Sequence, residues 1–266
     1  MNIQRAYTNC RYGQMHYRTA GADNGKPVLV LLHQNPSSSF EYEALIKACA
    51  ADRRVIAFDT PGYGMSDAPP APPGIPGYAA AFSEALDALG LTGPLDCYGF
   101  HTGTLHTIEL ALLRPDLITR IALTGIPMYP PEGRAEKLAD ALNYPKIDED
   151  GEVIKALLAN LWNYVIVNRD KRVPLDKAVW NFADKAKVLH HFTWAYKGVW
   201  EYNYARLPEV SQPALLLQPE EDIAGYSRAA AALLPNCRVV DLPDLDRDIF
   251  DVAPERIANE LRSFFA

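Results

Sequence analysis

A chain of 266 residues with 48% hydrophobic and 22% charged residues is too apolar for intrinsic disorder and long enough to bury one α/β core. A formal charge of −7 leaves no basic surface to neutralise phosphates, which argues against nucleic acid or membrane as partners, and no apolar run is long enough to span a bilayer. The opening MNIQRAYTNC lacks the charged-then-apolar pattern of a secretory leader, so the cytoplasm is the expected compartment.

RAYTNCRYGQMHYRTAG, residues 5–21, alternates polar and apolar residues about a Tyr-Gly step, which predicts an antiparallel hairpin at a sheet edge. VLVLLHQN, 28–35, is a continuous apolar run that ends at His33-Gln34, as a strand buried on both faces of a parallel sheet does. RRVIAFD, 53–59, repeats the pattern and closes in the turn TPGYGMSD. The proline-rich DAPPAPPGIPGY, 67–78, reads as a rigid surface loop, FSEALDALG as a helix, and PLDCYGF, 94–100, as the next strand. After Gly99-Phe100-His101-Thr102-Gly103 come the helix TLHTIELALLRP and the strand ITRIALTGI. Residues 127–207 contain no buried-strand run, begin with the kink-prone PMYPPEG, and read as an inserted helical cap; 1–126 and 208–266 form the core. The cap's second half is rich in aromatic residues, Trp194 among them, and Tyr129 stands at its entrance. PALLLQPEED and CRVVDLPD supply the last strands, and PERIANELRSFFA a final amphipathic helix. This alternation predicts an α/β fold with a mostly parallel sheet between helices, whose ligands sit beyond the carboxyl ends of the strands.

The four cysteines, 10, 49, 97 and 237, form no Cys-x-x-Cys pair or zinc-spaced cluster and are read as reduced thiols, Cys97 as a buried one. No metal or organic cofactor is expected. His33 is read as a hydrogen-bonded structural histidine and His106 as packed.

A strand, then Gly-x-X-x-Gly, then a helix is a sharp turn that pushes its middle side chain out above the sheet, so His101 is displayed. With this turn the chain resembles the α/β-hydrolase superfamily over nearly its full length. VLVLLHQNP stands where the family has its His-Gly oxyanion strand, FDTPGYGMSD matches its Asp-x-Pro-Gly-x-Gly-x-Ser segment, and QPEED and DLDRDIFDVAPE match the loops of the triad acid and triad histidine. The family's order of nucleophile, acid and histidine then maps onto His101, Asp222 and a position at or beside Arg247. Only the acid fits. No histidine follows His191, so a serine-type acyl-enzyme has lost both nucleophile and base, and a plain serine esterase is excluded.

What the resemblance implies is an atypical member in which His101, oriented by Asp222, works as general base or acid. The N–H groups of Thr102 and Gln34 would form an oxyanion hole, with the Gln34 side chain as a third donor. Arg247 has two readings, a grip on a substrate carboxylate or an ion pair with Asp222, Asp246 or Asp248. Tyr129, His190, His191 and Trp194 complete the candidate pocket. The expected reaction is hydrolysis or lyase-type cleavage of a small apolar or aromatic carbonyl compound. Two alternatives stay open: a non-catalytic binding protein on a decayed hydrolase scaffold, and a covalent hydrolase with His101 as nucleophile. A small-molecule substrate is the expected partner, and self-association as a homodimer is left open.

Overall fold

A computed structural model describes residues 2–266. Gln4–Cys10 (β1) and Gly13–Ala20 (β2) form the predicted hairpin, and β2 continues antiparallel onto the core with Tyr17 opposite Phe58. Val28–Leu32 (β3), Val55–Phe58 (β4), Leu95–Phe100 (β5), Ile118–Thr124 (β6), Ala214–Pro219 (β7) and Cys237–Leu242 (β8) run parallel. The eight strands lie in the order β1-β2-β4-β3-β5-β6-β7-β8. Because the chain goes from β3 to β4 on one side and returns to β5 on the other, the order reverses at β3/β5. That reversal opens a crevice beyond their carboxyl ends, where this class of sheet binds ligands.

Alternation along each strand divides the interior in two. Val30 and Leu32 of β3 face the layer of Gly74–Ala88 (α2) and Thr102–Leu113 (α3), together with Ile56, Cys97 and Ile121. Leu29 and Leu31 face Pro254–Phe264, the C-terminal helix, and Glu43–Cys49 (α1), together with Ala57, Tyr98 and Leu217. Ile257 and Leu261 of the C-terminal helix are buried there, each stabilising by about 1.5–3 kcal/mol. β8 closes the sheet as an edge strand and exposes half of its residues. The stretch 67–78 is only partly the predicted loop. α2 begins at Gly74, because Pro76 falls in a first turn that needs no N–H from it, and Ile75, Tyr78 and Phe82 bury at helical spacing.

Between β6 and β7 the described residues contain no strand. They form Pro131–Leu142 (α4), Glu152–Trp162 (α5), Leu175–Ala186 (α6) and Trp194–Glu201 (α7). This layer is pinned over the crevice. Tyr196 Oη donates to the Asn35 carbonyl at 2.6 Å, Asn35 Nδ2 donates to the Phe192 carbonyl at 2.9 Å, and Tyr63 Oη accepts from the Ala195 amide. No helix is long and apolar enough to cross a membrane among the described residues.

The histidines read as structural are so placed. His33 Nε2 accepts from the Thr60 amide at 2.8 Å while Nδ1 donates to the Gln34 carbonyl, which ties the end of β3 to the turn after β4. His106 is buried between Tyr78 and Phe82, and burial pushes its pKa down to about 3. The Cys97 thiol is buried at 3.4 Å from Thr107 Oγ1, and all four cysteines are free.

Candidate active site

β5 ends in Phe100, and α3 starts at Thr102, so a single residue must reverse the chain between them. That residue, His101, has φ 47° and ψ −113°, and it is the one non-glycine residue with positive φ among the described residues. Such a conformation costs about 1–3 kcal/mol and persists only where the surroundings impose it. Here His101 N donates to the Thr124 carbonyl at 2.8 Å, and the His101 carbonyl accepts from Thr104 N at 2.8 Å and Thr104 Oγ1 at 2.6 Å. Gly103 lets α3 press onto the end of β3, since a Cβ there would lie 1.9 Å from the Leu32 carbonyl oxygen. The tip is thereby lifted toward the crevice, as the Gly-x-X-x-Gly pattern predicts.

The imidazole does not meet the acid assigned to it. His101 Nε2 lies 2.7 Å from Glu221 Oε2, and the Glu221 side chain is 3% exposed. Asp222, the expected partner, is exposed at the rim of the same cavity, so this expectation is corrected by one residue. The reason is local: beyond Pro219 the chain turns so that Glu221 faces inward beneath the imidazole. A carboxylate only accepts, so Nε2 carries the proton and Nδ1 of the neutral ring keeps its lone pair. Nδ1 has no hydrogen-bond partner among the described residues, and the His101 side chain is 21% exposed to a cavity of about 380 Å³. Gly125, just past β6 with φ +73°, makes the pair sterically feasible. A Cβ there would lie 2.2 Å from His101 Cδ2 and 2.8 Å from Glu221 Oε1.

The expected oxyanion hole is half corrected. The Thr102 amide, first in α3, has no acceptor among the described residues and lines the cavity. The Gln34 amide is already used: it donates to Glu41 Oε1 at 3.0 Å, and Gln34 Nε2 donates to Glu41 Oε2 at 2.9 Å. Glu41 is buried and takes both donors of Gln34 because an unpaired buried carboxylate is costly. The next amide, that of Asn35, has no acceptor among the described residues and stands on the same cavity wall.

Arg247 lines the cavity but pairs with none of the three acids expected for it, Asp222, Asp246 and Asp248. Its Nη2 donates to the carbonyls of Tyr164 at 3.1 Å and Asn168 at 2.8 Å, and its guanidinium lies 4.2 Å from the Tyr164 ring centroid. It ties the final loop to the helical layer. Asp246 and Arg247 occupy the region where the family's histidine was mapped, and His101 is the one histidine lining the cavity among the described residues. Tyr129 lines the wall as expected, against Trp200 and Tyr226.

His190, His191 and Trp194 are not brought to the site. Their rings pack against one another, tilted by 48° and 50° with centroids 4.0 and 4.1 Å apart, away from the cavity wall, and His190 is exposed. The residues that do line the cavity from this segment are Phe192, Thr193, Tyr196, Val199 and Trp200, of which Tyr196, Val199 and Trp200 follow the three- and four-residue steps of one face of α7. Within α7 that spacing is visible in the sequence, and it leaves Trp194 outside the set. Lys137, with its ammonium over the rings of Tyr129 and Trp200, was not anticipated, and neither were Glu221, Asn35 and Gly125.

The arrangement offers a lone pair on Nδ1, a proton held on Nε2 by a buried carboxylate, and two unpaired backbone N–H groups, all on one cavity. This is the equipment of a proton-transfer site that collects charge on a carbonyl oxygen.

Among solved structures, the chain superposes on a hydrolase from Pseudomonas aeruginosa PA01 with a TM-score of 0.80 at 22% identity, covering 99% of this chain and 98% of that one. It superposes on an enol-lactonase from Burkholderia xenovorans LB400 with a TM-score of 0.81 at 19% identity, covering 97% and 99%. These likenesses speak to fold. Among characterised sequences, epoxide hydrolase 4 of Mus musculus is 28% identical over 116 residues, which is 43% of this chain and 32% of that protein. The match therefore spans about a third of the relative's length. Haloalkane dehalogenase 2 of Mycobacterium bovis is 27% identical across 92% of this chain and 89% of its own. The family model described as alpha/beta hydrolase fold matches residues 27–254, from the start of β3 to the start of the C-terminal helix, and so the chain belongs to the α/β-hydrolase fold family.

Proposed function

We propose that this protein is a cofactor-independent hydrolase or lyase of small, partly apolar or aromatic carbonyl compounds, with His101 as general base and acid. The observation that carries this reading is the 2.7 Å contact between His101 Nε2 and the buried Glu221, made from a backbone conformation that is strained and held by three hydrogen bonds. An imidazole left over from a lost activity would have no reason to keep a buried counter-charge and a strained display.

In this reading Nδ1 removes a proton, either from a water poised against the substrate carbonyl or from a carbon or hydroxyl next to it. Glu221 holds the Nε2 proton and stabilises the imidazolium that forms. The charge arriving on the carbonyl oxygen is taken up by the Thr102 and Asn35 amides, a type of contact whose removal costs about 10²–10³-fold elsewhere. The imidazolium then returns its proton to the leaving group from Nδ1. The apolar and aromatic walls from Phe192, Tyr196 and Trp200 favour a substrate with an apolar body.

The test is turnover of a panel of aryl esters, lactones, 1,3-diketones and β-hydroxyketones by wild type and His101→Ala. Loss of at least about 10²-fold in kcat with binding retained is expected. A serine-directed phosphonate should leave wild type unlabelled. Turnover that survives His101→Ala, or a phosphonate adduct on a cavity hydroxyl, would refute the assignment. Absence of turnover on the whole panel in wild type would favour the binding-protein alternative.

A further inference from the structure

The reaction cavity has a second lobe. Behind the stacked rings of Tyr144 and Phe192, whose centroids are 5.7 Å apart and whose planes differ by 3°, lies a chamber of about 400 Å³. Gln34, Asn35, Tyr164 and Tyr196 line both spaces, so the two adjoin. Their chemistry differs. The main lobe holds His101, Glu221, Asp222 and Lys137, whereas the second is walled by Leu157, Leu161 and Leu189. Its one charged wall residue, Lys185, has its ammonium bonded to the Pro36 carbonyl at 2.9 Å, leaving its methylene stem for the wall.

Asn35 fixes how a substrate would straddle the two lobes. If the carbonyl oxygen sits on the Thr102 and Asn35 amides, one substituent of the carbonyl carbon faces His101 in the polar lobe. The other is directed past Asn35 into the apolar lobe. We propose that this chamber is the subsite for the non-reacting arm of the substrate, and that the arm is an unbranched alkyl chain or a single aryl ring. The proposal rests on the reading of His101 and its oxyanion donors given above. A volume of about 400 Å³ lies within the range of small-ligand pockets, and the wall is mainly apolar; Asn35 Oδ1 and Tyr144 Oη are its buried polar atoms without a partner among the described residues, and both stand on the side shared with the main lobe.

The test uses binding, so that it does not depend on turnover. Calorimetric titration with a homologous series of 2-alkanones should show affinity rising about three- to four-fold per methylene until the chamber is full, then levelling. Leu161→Trp and Leu157→Trp, each filling the chamber from α5, should flatten the series while leaving the shortest ketones bound as in wild type. His101→Ala should keep the slope of the series. A series without chain-length dependence in wild type overturns the proposal, as does a wild-type slope in both tryptophan variants. Circular dichroism melting identifies a variant that has not folded, in which case the other variant and the wild-type series decide. If the slope is present but His101→Ala turns substrate over normally, the base assignment fails and the chamber stands.

Discussion

Replacing Gly125 by alanine places one methyl group against the His101–Glu221 pair and nowhere else near the site. Its Cβ would lie 2.2 Å from His101 Cδ2, 2.7 Å from Nε2 and 2.8 Å from Glu221 Oε1. Carbon atoms rest at about 3.5–4.0 Å, so the ring must retreat by roughly 1.3 Å or more. An imidazole moved that far from Gly125 loses its alignment with the carboxylate, and displacement of about 1 Å can cost on the order of 10²-fold in rate. The alanine also pays for a φ of +73°, about 1–2 kcal/mol. Gly90→Ala separates the two effects, because Gly90 has φ +68° with nothing within 4 Å of its Cβ. Both variants should therefore melt lower by similar backbone strain, while only Gly125→Ala disturbs the ring. The assay is long-range ¹H–¹⁵N NMR of the imidazoles alongside turnover: wild type and Gly90→Ala should show His101 protonated on Nε2, and Gly125→Ala a mixed tautomer with a rate reduced about 10²-fold. An unchanged tautomer and a rate within a few-fold in Gly125→Ala would refute the reasoning.

The choice between the two neighbouring acids is equally direct. Glu221→Gln should lower kcat by about 10²–10⁴-fold, because an amide no longer balances the imidazolium, whereas Asp222→Asn should change it only a few-fold; the reverse order would restore Asp222 as the partner. A stability measurement tests the interior. His106 stays neutral in the folded protein down to about pH 3, while an unfolded chain protonates it near its ordinary value of 6.5. As pH falls through that window the unfolded state binds a proton that the folded state refuses, so stability is lost at up to about 1.4 kcal/mol per pH unit. His106→Phe, which suits a site between Tyr78 and Phe82, should remove this contribution. Urea unfolding between pH 7 and pH 4.5 should give a shallower pH slope for the variant, and equal slopes would contradict the burial argument.

The parts of this protein that were legible in its sequence are those set by periodicity and by local backbone demands. Val28–Leu32 and Leu95–Phe100 read as strands because every residue is apolar or buried on a two-sided sheet, and they are. Gly99-Phe100-His101-Thr102-Gly103 read as a displayed histidine because the turn itself, with Gly103 against β3, dictates where the middle side chain goes. The start of α2 inside a proline-rich stretch was less legible, since the buried spacing of Ile75, Tyr78 and Phe82 is interleaved with prolines that suit a loop equally well.

The sequence by itself determined that an imidazole, and not a hydroxyl, stands at the apex of an α/β-hydrolase sheet, and that no second histidine follows it in the final loop. Only the tertiary structure decided which acid meets it, which amides remain free and which face of the cap looks inward. Glu221 and Asp222 are adjacent and chemically alike, so their roles depend on how the chain turns after Pro219 and on the hollow that Gly125 leaves just past the end of a neighbouring strand. Likewise, the Gln34 amide is unavailable only because Glu41, seven residues away, folds back onto it. These are contacts between segments distant in sequence or orientations within one loop, and no local pattern of residue types encodes them.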